Sequence, residues 1–467
     1  MKGSLRVSEV NCARFLPKKS ATTELNETIS AGWQQSVEPS KPVTRSAGGQ
    51  LIRGFMRMPG KVIDRVIFMP SPRKGVATHA SSYYTAREGG SLMSIHGYES
   101  RSDTTDVAFI RFSGDNGRTW GAEETFQTEF RDPKGTRRRY PAGGYVDPLT
   151  GRYLTVRNEG VLPTDDPLEG MRQWKLHYSV SEDGGRTFLV DEQIIHDGEE
   201  YDAINHLPGI SVGKTCAMIG DMGQRPITRA DGVLLVPIQY TPAGPDGVYL
   251  NPGAGFTYTN CMVLFGHWLP GGRLRWTASD KIIADPARTT RGLIEPTISQ
   301  LPDGRIIMVM RGSNDKRPEL PGWKWFSESR DGGQTWSVPA PWTYDDGIPF
   351  HSPSSCSQLY RHLDGRLFWI GNICEENPEG NGPRYPLVVG QVDEITGRLL
   401  RRSVWAVDDR EPDESPFLTL SNFFAREDRE TGHMLIHMTR LFARDFRKGG
   451  SIDWTADSLL YRIELSD

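Results

Sequence analysis

From Val62 onward, short runs rich in Val, Ile, Leu, Tyr and Phe alternate with clusters of Gly, Pro and Asp; SLMSIHGY, VAFIRF, GRYLTV, GVLLVPIQY, RIIMVMR, RLFWIGN and MLIHMTRLF are examples. No stretch of twelve residues holds the 3.6-residue period of an amphipathic helix. The pattern predicts an all-β chain of short strands joined by tight turns. Residues 1–50 are polar and turn-rich with little periodicity, and are expected to form an irregular N-terminal arm ahead of a single β unit over 51–467.

The turns themselves recur. Tight turns precede an apolar run at Gly89-Gly90, around Asp147 to Gly151, at Asp231-Gly232, Asp303-Gly304 and Asp364-Gly365, and around Glu430 to Gly432. Their centres lie 59, 82, 72, 61 and 67 residues apart. Six units of similar length predict radial repetition of a four-stranded blade, because one blade cannot bury both of its faces alone and the ring must close. A second signal repeats inside the units. Ser113-x-Asp115-x-Gly117-x-Thr119-Trp120 returns as Ser181-x-Asp183-x-Gly185-x-Thr187-Phe188 and as Ser329-x-Asp331-x-Gly333-x-Thr335-Trp336, with Val392-Asp393-Glu394-Ile395-Thr396-Gly397 as a decayed copy. Asp accepts backbone N–H bonds in a tight turn, Gly supplies a conformation closed to other residues, and the aromatic is expected to pack between sheets. These aspartates read as structural staples.

Composition narrows the function classes. Fifty-five basic against 59 acidic residues give a net charge of −4, so no global polycation is offered to nucleic acid, and the run at residues 137–139 reads as substrate rim or solvated loop. No apolar run approaches the length needed to cross a bilayer, and the N-terminus lacks the apolar segment of a signal peptide. The five cysteines, at 12, 216, 261, 356 and 374, are widely spaced with no CxxC; neither a disulfide framework nor a thiolate metal site is expected. No metal motif and no nucleotide-binding motif is visible, so no metal and no cofactor are expected.

The three SxDxGxT[W/F] copies on a six-unit β chain resemble the Asp-box repeats of the sialidase superfamily, the six-bladed BNR propellers. The similarity runs over about residues 62 to 465 and is greatest to uncharacterised bacterial exo-sialidase-like proteins. Three arginines that clamp a carboxylate, an aspartic acid as acid/base, and a tyrosine nucleophile paired with a glutamate are what this resemblance implies. The Arg- and Asp-containing loop before the first Asp box resembles Arg101-Ser102-Asp103-Thr104-Thr105-Asp106, with Asp103 the first choice for acid/base and Asp106 the reserve. The E-P-T…L-x-D-G-R…R pattern resembles Glu295-Pro296-Thr297 through Arg305 to Arg311, giving a central Glu295 and a clamp Arg311. The N…R-Y-P-L pattern resembles Asn372 through Asn381 to Arg384 and Tyr385, giving Arg384 as another clamp. Arg65, in Asp64-Arg65-Val66-Ile67, is the nearest candidate for the remaining arginine and lacks the family's proline. Where the family has its Y-x-Y-P tyrosine, this chain reads Leu420-Ser421-Asn422-Phe423-Phe424. Two carboxylates would then run an inverting hydrolysis through water, or Tyr344 or Tyr385 would reach the site from elsewhere.

Residue chemistry points the same way. Arginine's planar fork suits a carboxylate, so Arg311 and Arg384 at strand ends suggest recognition of an acidic sugar, although on residue type alone they would equally pair with local acids. Trp323 would offer a stacking platform, with Trp325 and Phe326 in the core; His351 would hold its loop or act as a base; and His96 is expected at the same mouth as Arg101. The expected function is an exo-acting glycoside hydrolase releasing a terminal acidic sugar from an oligosaccharide or glycoconjugate. A lyase on a uronic-acid linkage and a non-catalytic glycan-binding propeller are the alternatives. The glycine-rich segments 242–258 and 375–383 would serve as pocket walls or as a subunit interface.

Overall fold

Twenty-eight strands make six antiparallel sheets in a computed structural model that describes residues 60–166, 174–210, 216–220, 225–444 and 453–466. The chain divides into Met1–Phe55 and Met56–Asp467. The arm expected over 1–50 lies outside the described residues. Strand β1 (Gly60–Met69) comes first but belongs to the last blade. Blade one is β2 (Ala77–Tyr84), β3 (Leu92–Glu99), β4 (Val107–Ser113) and β5 (Glu124–Phe126). Blade two adds the hairpin β6 (Glu129–Asp132) and β7 (Gly135–Arg139) to β8 (Gly144–Val146), β9 (Tyr153–Leu162), β10 (Lys175–Ser181) and β11 (Val190–Gln193). Blade three has a split inner strand, β12 (Ala217–Met218) and β13 (Ile227–Thr228), then β14 (Leu234–Tyr240), β15 (Asn260–Trp268) and β16 (Leu274–Ala278). Blade four is β17 (Ile294–Gln300), β18 (Ile306–Arg311), β19 (Lys324–Ser329) and β20 (Ala340–Pro341). Blade five is β21 (Gln358–Arg361), β22 (Leu367–Asn372), β23 (Leu387–Asp393), β24 (Arg398–Leu399) and β25 (Trp405–Asp408). Blade six joins β26 (Phe423–Glu427), β27 (Met434–Thr439) and β28 (Ser458–Leu465) to β1. Its outer pairing, Gly60 opposite Leu465 through Met69 opposite Ser458, unites segments from opposite ends of the sequence and closes the ring.

The uninterrupted apolar runs follow from this geometry. Successive side chains of a strand point to opposite faces, and each blade is covered on both. In β18, Ile306, Met308 and Met310 pack toward blade three with Leu235, Val263 and Phe265, while Ile307 and Val309 pack toward blade five with Trp369 and Val388. Similar cores join blades two to three and five to six. Blade one is held differently. Toward blade six a small apolar group, Tyr83, Ile95 and Phe424, is supplemented by a buried Ser82–His437 hydrogen bond of 2.8 Å and by Arg426, which donates to Ser82. Toward blade two, the Tyr153 hydroxyl meets the Met93 sulfur and Arg186 stacks on Phe112.

The six recurring turns are the links between the first and second strands of the blades, and all open on one face of the ring. The Asp boxes lie on that same face, between third and fourth strands. In each, Ser bonds Asp, the Gly N–H bonds the Ser hydroxyl, and Asp accepts both the N–H and the hydroxyl of Thr; in the first box Thr119 donates at 2.9 and 2.6 Å. Asp393 accepts from Thr396 at the equivalent turn of blade five. One expectation fails here. Phe188 is 47% exposed rather than packed between sheets. Trp120 and Trp336 are half-buried, and Trp336 donates its indole N–H to Gly333.

The boxes carry a pH signature. Hydrogen bonds from Thr119 and Thr335 hold Asp115 and Asp331 at about 2, and those from Thr187 place Asp183 below its usual range. A carboxylate depressed in the folded state stabilises above its unfolded pKa and loses that contribution as pH falls through the folded value. The wild-type melting temperature should therefore fall between about pH 4 and pH 2. A variant with Asn at 115, 183 and 331 should start lower and show a flatter dependence; equal slopes would refute the assignment.

Candidate active site at the propeller mouth

On the opposite face open the loops between second and third strands and the crossovers between blades. The central carboxylate enters at the second residue of β17. A register shift between Ile294 and Thr297 bulges the strand there, and Glu295 takes a positive φ of 47° while its N–H donates to Gln239 Oε1 at 2.6 Å. Bulges of this kind re-aim a side chain. Arg311, the last residue of β18, donates from Nη1 to Glu295 Oε1 at 2.7 Å, from Nε to Ser354 Oγ at 2.8 Å, and from Nη2 to Asn381 Oδ1 at 3.1 Å. Arg384, in the loop between β22 and β23, donates to the Ser354 carbonyl at 2.9 Å, the Asn381 carbonyl at 3.1 Å and Ser421 Oγ at 3.3 Å. The two arginines thus share two residues and stand side by side.

Two further cations complete the cluster, and sequence reasoning did not single them out. Lys324, the first residue of β19 and paired with Arg311 in the ladder, is fully buried with its ammonium on the Ser355 carbonyl. Burial first, then the neighbouring arginines, lower its pKa to about 7. The signal was present as a charge inside an apolar run, Trp323-Lys324-Trp325-Phe326. Arg291 precedes Glu295 by four residues and donates to Thr257 Oγ1; burial and Arg311 bring it to about 10, opposed by Asp315, Glu295 and Asp103. For Glu295 itself, burial pushes upward, but Arg311, Arg384 and Lys324 outweigh it and hold the carboxyl below its ordinary value. Its other oxygen, Oε2, is buried without a hydrogen-bond partner.

Asp103 sits in the loop between β3 and β4, exposed, at a positive φ of 54°. Its loop, joining the second and third strands of blade one, opens on the same face of the ring as Glu295. Its backbone carbonyl accepts the Tyr140 hydroxyl, and the loop is tied down by Arg101, which donates to Asp165 at 2.9 Å. Arg138 grips the same Asp165 with two bonds of 2.6 Å. Asp103, Thr105, Arg138, Tyr140 and Trp174 line a small crevice here. Asp106 instead caps its own loop, accepting from Ser100 N and Oγ, and Arg101 is engaged with Asp165.

Other candidates go elsewhere. Arg65 lies on the outermost strand of blade six, 53% exposed and 3.8 Å from Asp408, because β1 closes the last blade instead of opening the first. The inner strand of blade one begins Ala77-Thr78-His79 and brings no arginine to the mouth. His96 is buried inside blade one, stacked on Phe109, with its pKa lowered by burial, and does not face the mouth. Trp323 packs edge-on to Trp325, with Arg288 over both rings; Trp325 and Phe326 are core. His351 bridges Cys374 through its backbone on the mouth side of blade five. Tyr344 lies under Arg401 and against Phe350, and Tyr385 under Arg410. Phe423 and Phe424 are buried in β26, and Ser421 just ahead of them contacts Arg384. Among the described residues, no group of three or more His, Cys, Asp or Glu side chains is placed to hold a metal, and no helix is long and apolar enough to cross a membrane.

Residues 105–411 match the family of BNR repeat-like domains. The chain belongs to that family. Among solved structures, this BNR propeller is similar to a protein of unknown function from Dyadobacter fermentans, with a TM-score of 0.55 and 14% identity over 87% of this chain and 100% of that one. It is also similar to the intramolecular trans-sialidase from Ruminococcus gnavus, with a TM-score of 0.51 and 12% identity over 85% and 95% of the two chains. The NanB sialidase from Streptococcus pneumoniae gives a TM-score of 0.50 and 12% identity over 86% and 70%. No curated protein sequence matches. At these identities the likeness establishes the six-bladed fold of the sialidase type and leaves the chemistry to the site's own residues.

Proposed function

We propose that this BNR propeller is an exo-acting glycoside hydrolase that releases a terminal acidic sugar. The observation carrying the reading is Glu295, with one oxygen on Arg311 and the other without a partner, among Arg384, Lys324 and Arg291. Arg311 Nη2 and Arg384 Nη1 rest on neutral acceptors at 3.1 and 3.3 Å, contacts that a sugar carboxylate would replace with stronger charge-assisted ones. Glu295, kept ionised by its neighbours, takes a proton from an attacking water at Oε2. Asp103 gives its proton to the leaving oxygen as the glycosidic bond breaks. With Ser421, Asn422 and Phe423 where the family tyrosine stands, water is the nucleophile and inversion the expected outcome. The same departure favours a second reading, a propeller that binds acidic glycans without turning them over.

Mass and NMR analysis of products from a panel of acidic glycans separates these readings. A released acidic sugar of inverted configuration is expected; an unsaturated product or no product across the panel would overturn the hydrolase. Asp103→Asn should lower turnover of natural glycosides by about 10²–10⁴-fold with an unchanged melting temperature. It should cost far less on aryl glycosides, whose leaving groups need no proton. Equal losses on both would remove Asp103 from the acid role.

A further inference from the structure

The β6–β7 hairpin is an addition to the four-strand plan of blade two, and its charge is unlike that of the chain as a whole. Residues 129–140 hold Arg131, Lys134, Arg137, Arg138 and Arg139 against Glu129 and Asp132. Arg138 is neutralised by Asp165 and Glu129, and Arg139 by Glu159. Arg131, Lys134 and Arg137 join no ion pair among the described residues; the first two are exposed and the third half-exposed. Phe130 lies opposite Arg137 in the ladder, and the guanidinium groups of Arg137 and Arg139 stand 4.3 and 5.2 Å from its ring centroid. Stacking of this kind holds the side chains extended and lowers the entropy lost on binding.

The hairpin is tied to the catalytic loop. Tyr140, directly after β7, donates to the Asp103 carbonyl; Thr128, directly before β6, donates to the Asp106 carbonyl at 3.3 Å; and Arg139 N–H donates to the Thr128 carbonyl at 2.9 Å. At strand rise, Arg137 lies about 10 Å and Lys134, at the turn, about 20 Å along the hairpin from that anchor, beyond the reach of one sugar ring. We infer that this hairpin is a binding subsite for the inner residues of a polyanionic glycan chain, carboxylated or sulfated, whose terminal sugar enters the mouth. The inference rests on the functional reading above and sharpens it: the substrate is a charged polysaccharide, not a neutral glycan with a single acidic cap. A nucleic acid would meet the same charges, but the anchoring to the Asp103 loop directs the track into the sugar-binding mouth.

The test compares affinities for mono- and hexameric galacturonate, α2,8-linked sialic acid and a chondroitin sulfate hexasaccharide, with a twelve-residue oligothymidylate as the competitor. Wild type should bind at least one hexamer about tenfold more tightly than its monomer, the sum of three modest exposed ion pairs. Comparing the carboxylated with the sulfated hexamer identifies the anion. Arg131→Ala/Lys134→Ala/Arg137→Ala should lose that advantage and its salt dependence while keeping monomer affinity and melting temperature. Should the triple variant melt early, Lys134→Glu, at the exposed turn, should still weaken the hexamer about threefold. Arg384→Ala should weaken monomer and hexamer alike and keep the length advantage. An advantage that survives the triple variant, no hexamer binding, or oligothymidylate bound as tightly as the hexamers would each overturn the subsite. Hairpin-dependent hexamer binding without monomer binding or turnover would instead leave the subsite standing and reject the hydrolase.

Discussion

Arg311→Ala is expected to cost about 3–5 kcal/mol of folding stability and to abolish binding of acidic monosaccharides. Arg311 and Glu295 are 10% and 13% exposed at the side chain, so removing the guanidinium leaves a nearly buried carboxylate without its direct partner. Ser354 Oγ and Asn381 Oδ1 lose their donor as well. Arg384 and Lys324 remain near Glu295 and keep the loss toward the lower end of that range. Chemical denaturation gives the stability, and titration calorimetry with a uronic and a sialic acid gives the binding. Arg311→Lys should recover part of the stability but little binding, since an ammonium cannot reproduce the planar fork. Combining Arg311→Ala with Glu295→Gln should cost less than the sum of the two, because the stranded charge is gone. A loss below about 1 kcal/mol for Arg311→Ala would mean that the pair is solvated and the mouth more open than described.

Glu295→Gln should reduce kcat by about 10²–10⁴-fold while leaving KM unchanged or lower. The split follows from charge. Glutamine cannot take a proton from water, yet removing the carboxylate frees Arg311, Arg384 and Lys324 to attract the substrate's acid more strongly. The pH profile carries an independent signature. A base works only when ionised, and neighbouring cations hold Glu295 below the ordinary value of 4.5. Wild-type activity should therefore persist below that pH before it falls. Steady-state kinetics across the acid range checks both points; a rise in KM with kcat untouched would make Glu295 a binding group and remove it from the role of base.

The site was readable where its residues lie at strand ends within recurring motifs, and unreadable where contact depends on ring closure. Glu295, Arg311 and Arg384 each stand at the start or end of a strand or its loop, and the structure brings these three motif candidates into one cluster. Arg65 shows the opposite case. Its run reads as the opening strand of the first unit, yet β1 pairs with β28, and nothing local in Asp64-Arg65-Val66-Ile67 reports a partner nearly 400 residues away. His96 failed for a related reason. The period of two assigns it to a face of β3 without saying that Phe109 and Glu123 cover that face. Lys324 was hidden by the expectation that an apolar run marks core, where a lysine is costly unless the surroundings shift its titration.

By itself the sequence determined that this chain builds six short-stranded sheets, where their turns fall, and that a blade must cover both of its faces by closing a ring. Turn chemistry and side-chain alternation are local, so they survive in the linear order of residues. Only the tertiary structure decided which segments meet: Glu295, Arg311 and Lys324 from blade four and Arg384 from blade five form one cluster, and the Asp103 loop of blade one opens on the same face because the ring closes. A carboxylate's protonation and an arginine's availability are set by neighbours within a few ångströms, and those neighbours come from distant parts of the chain.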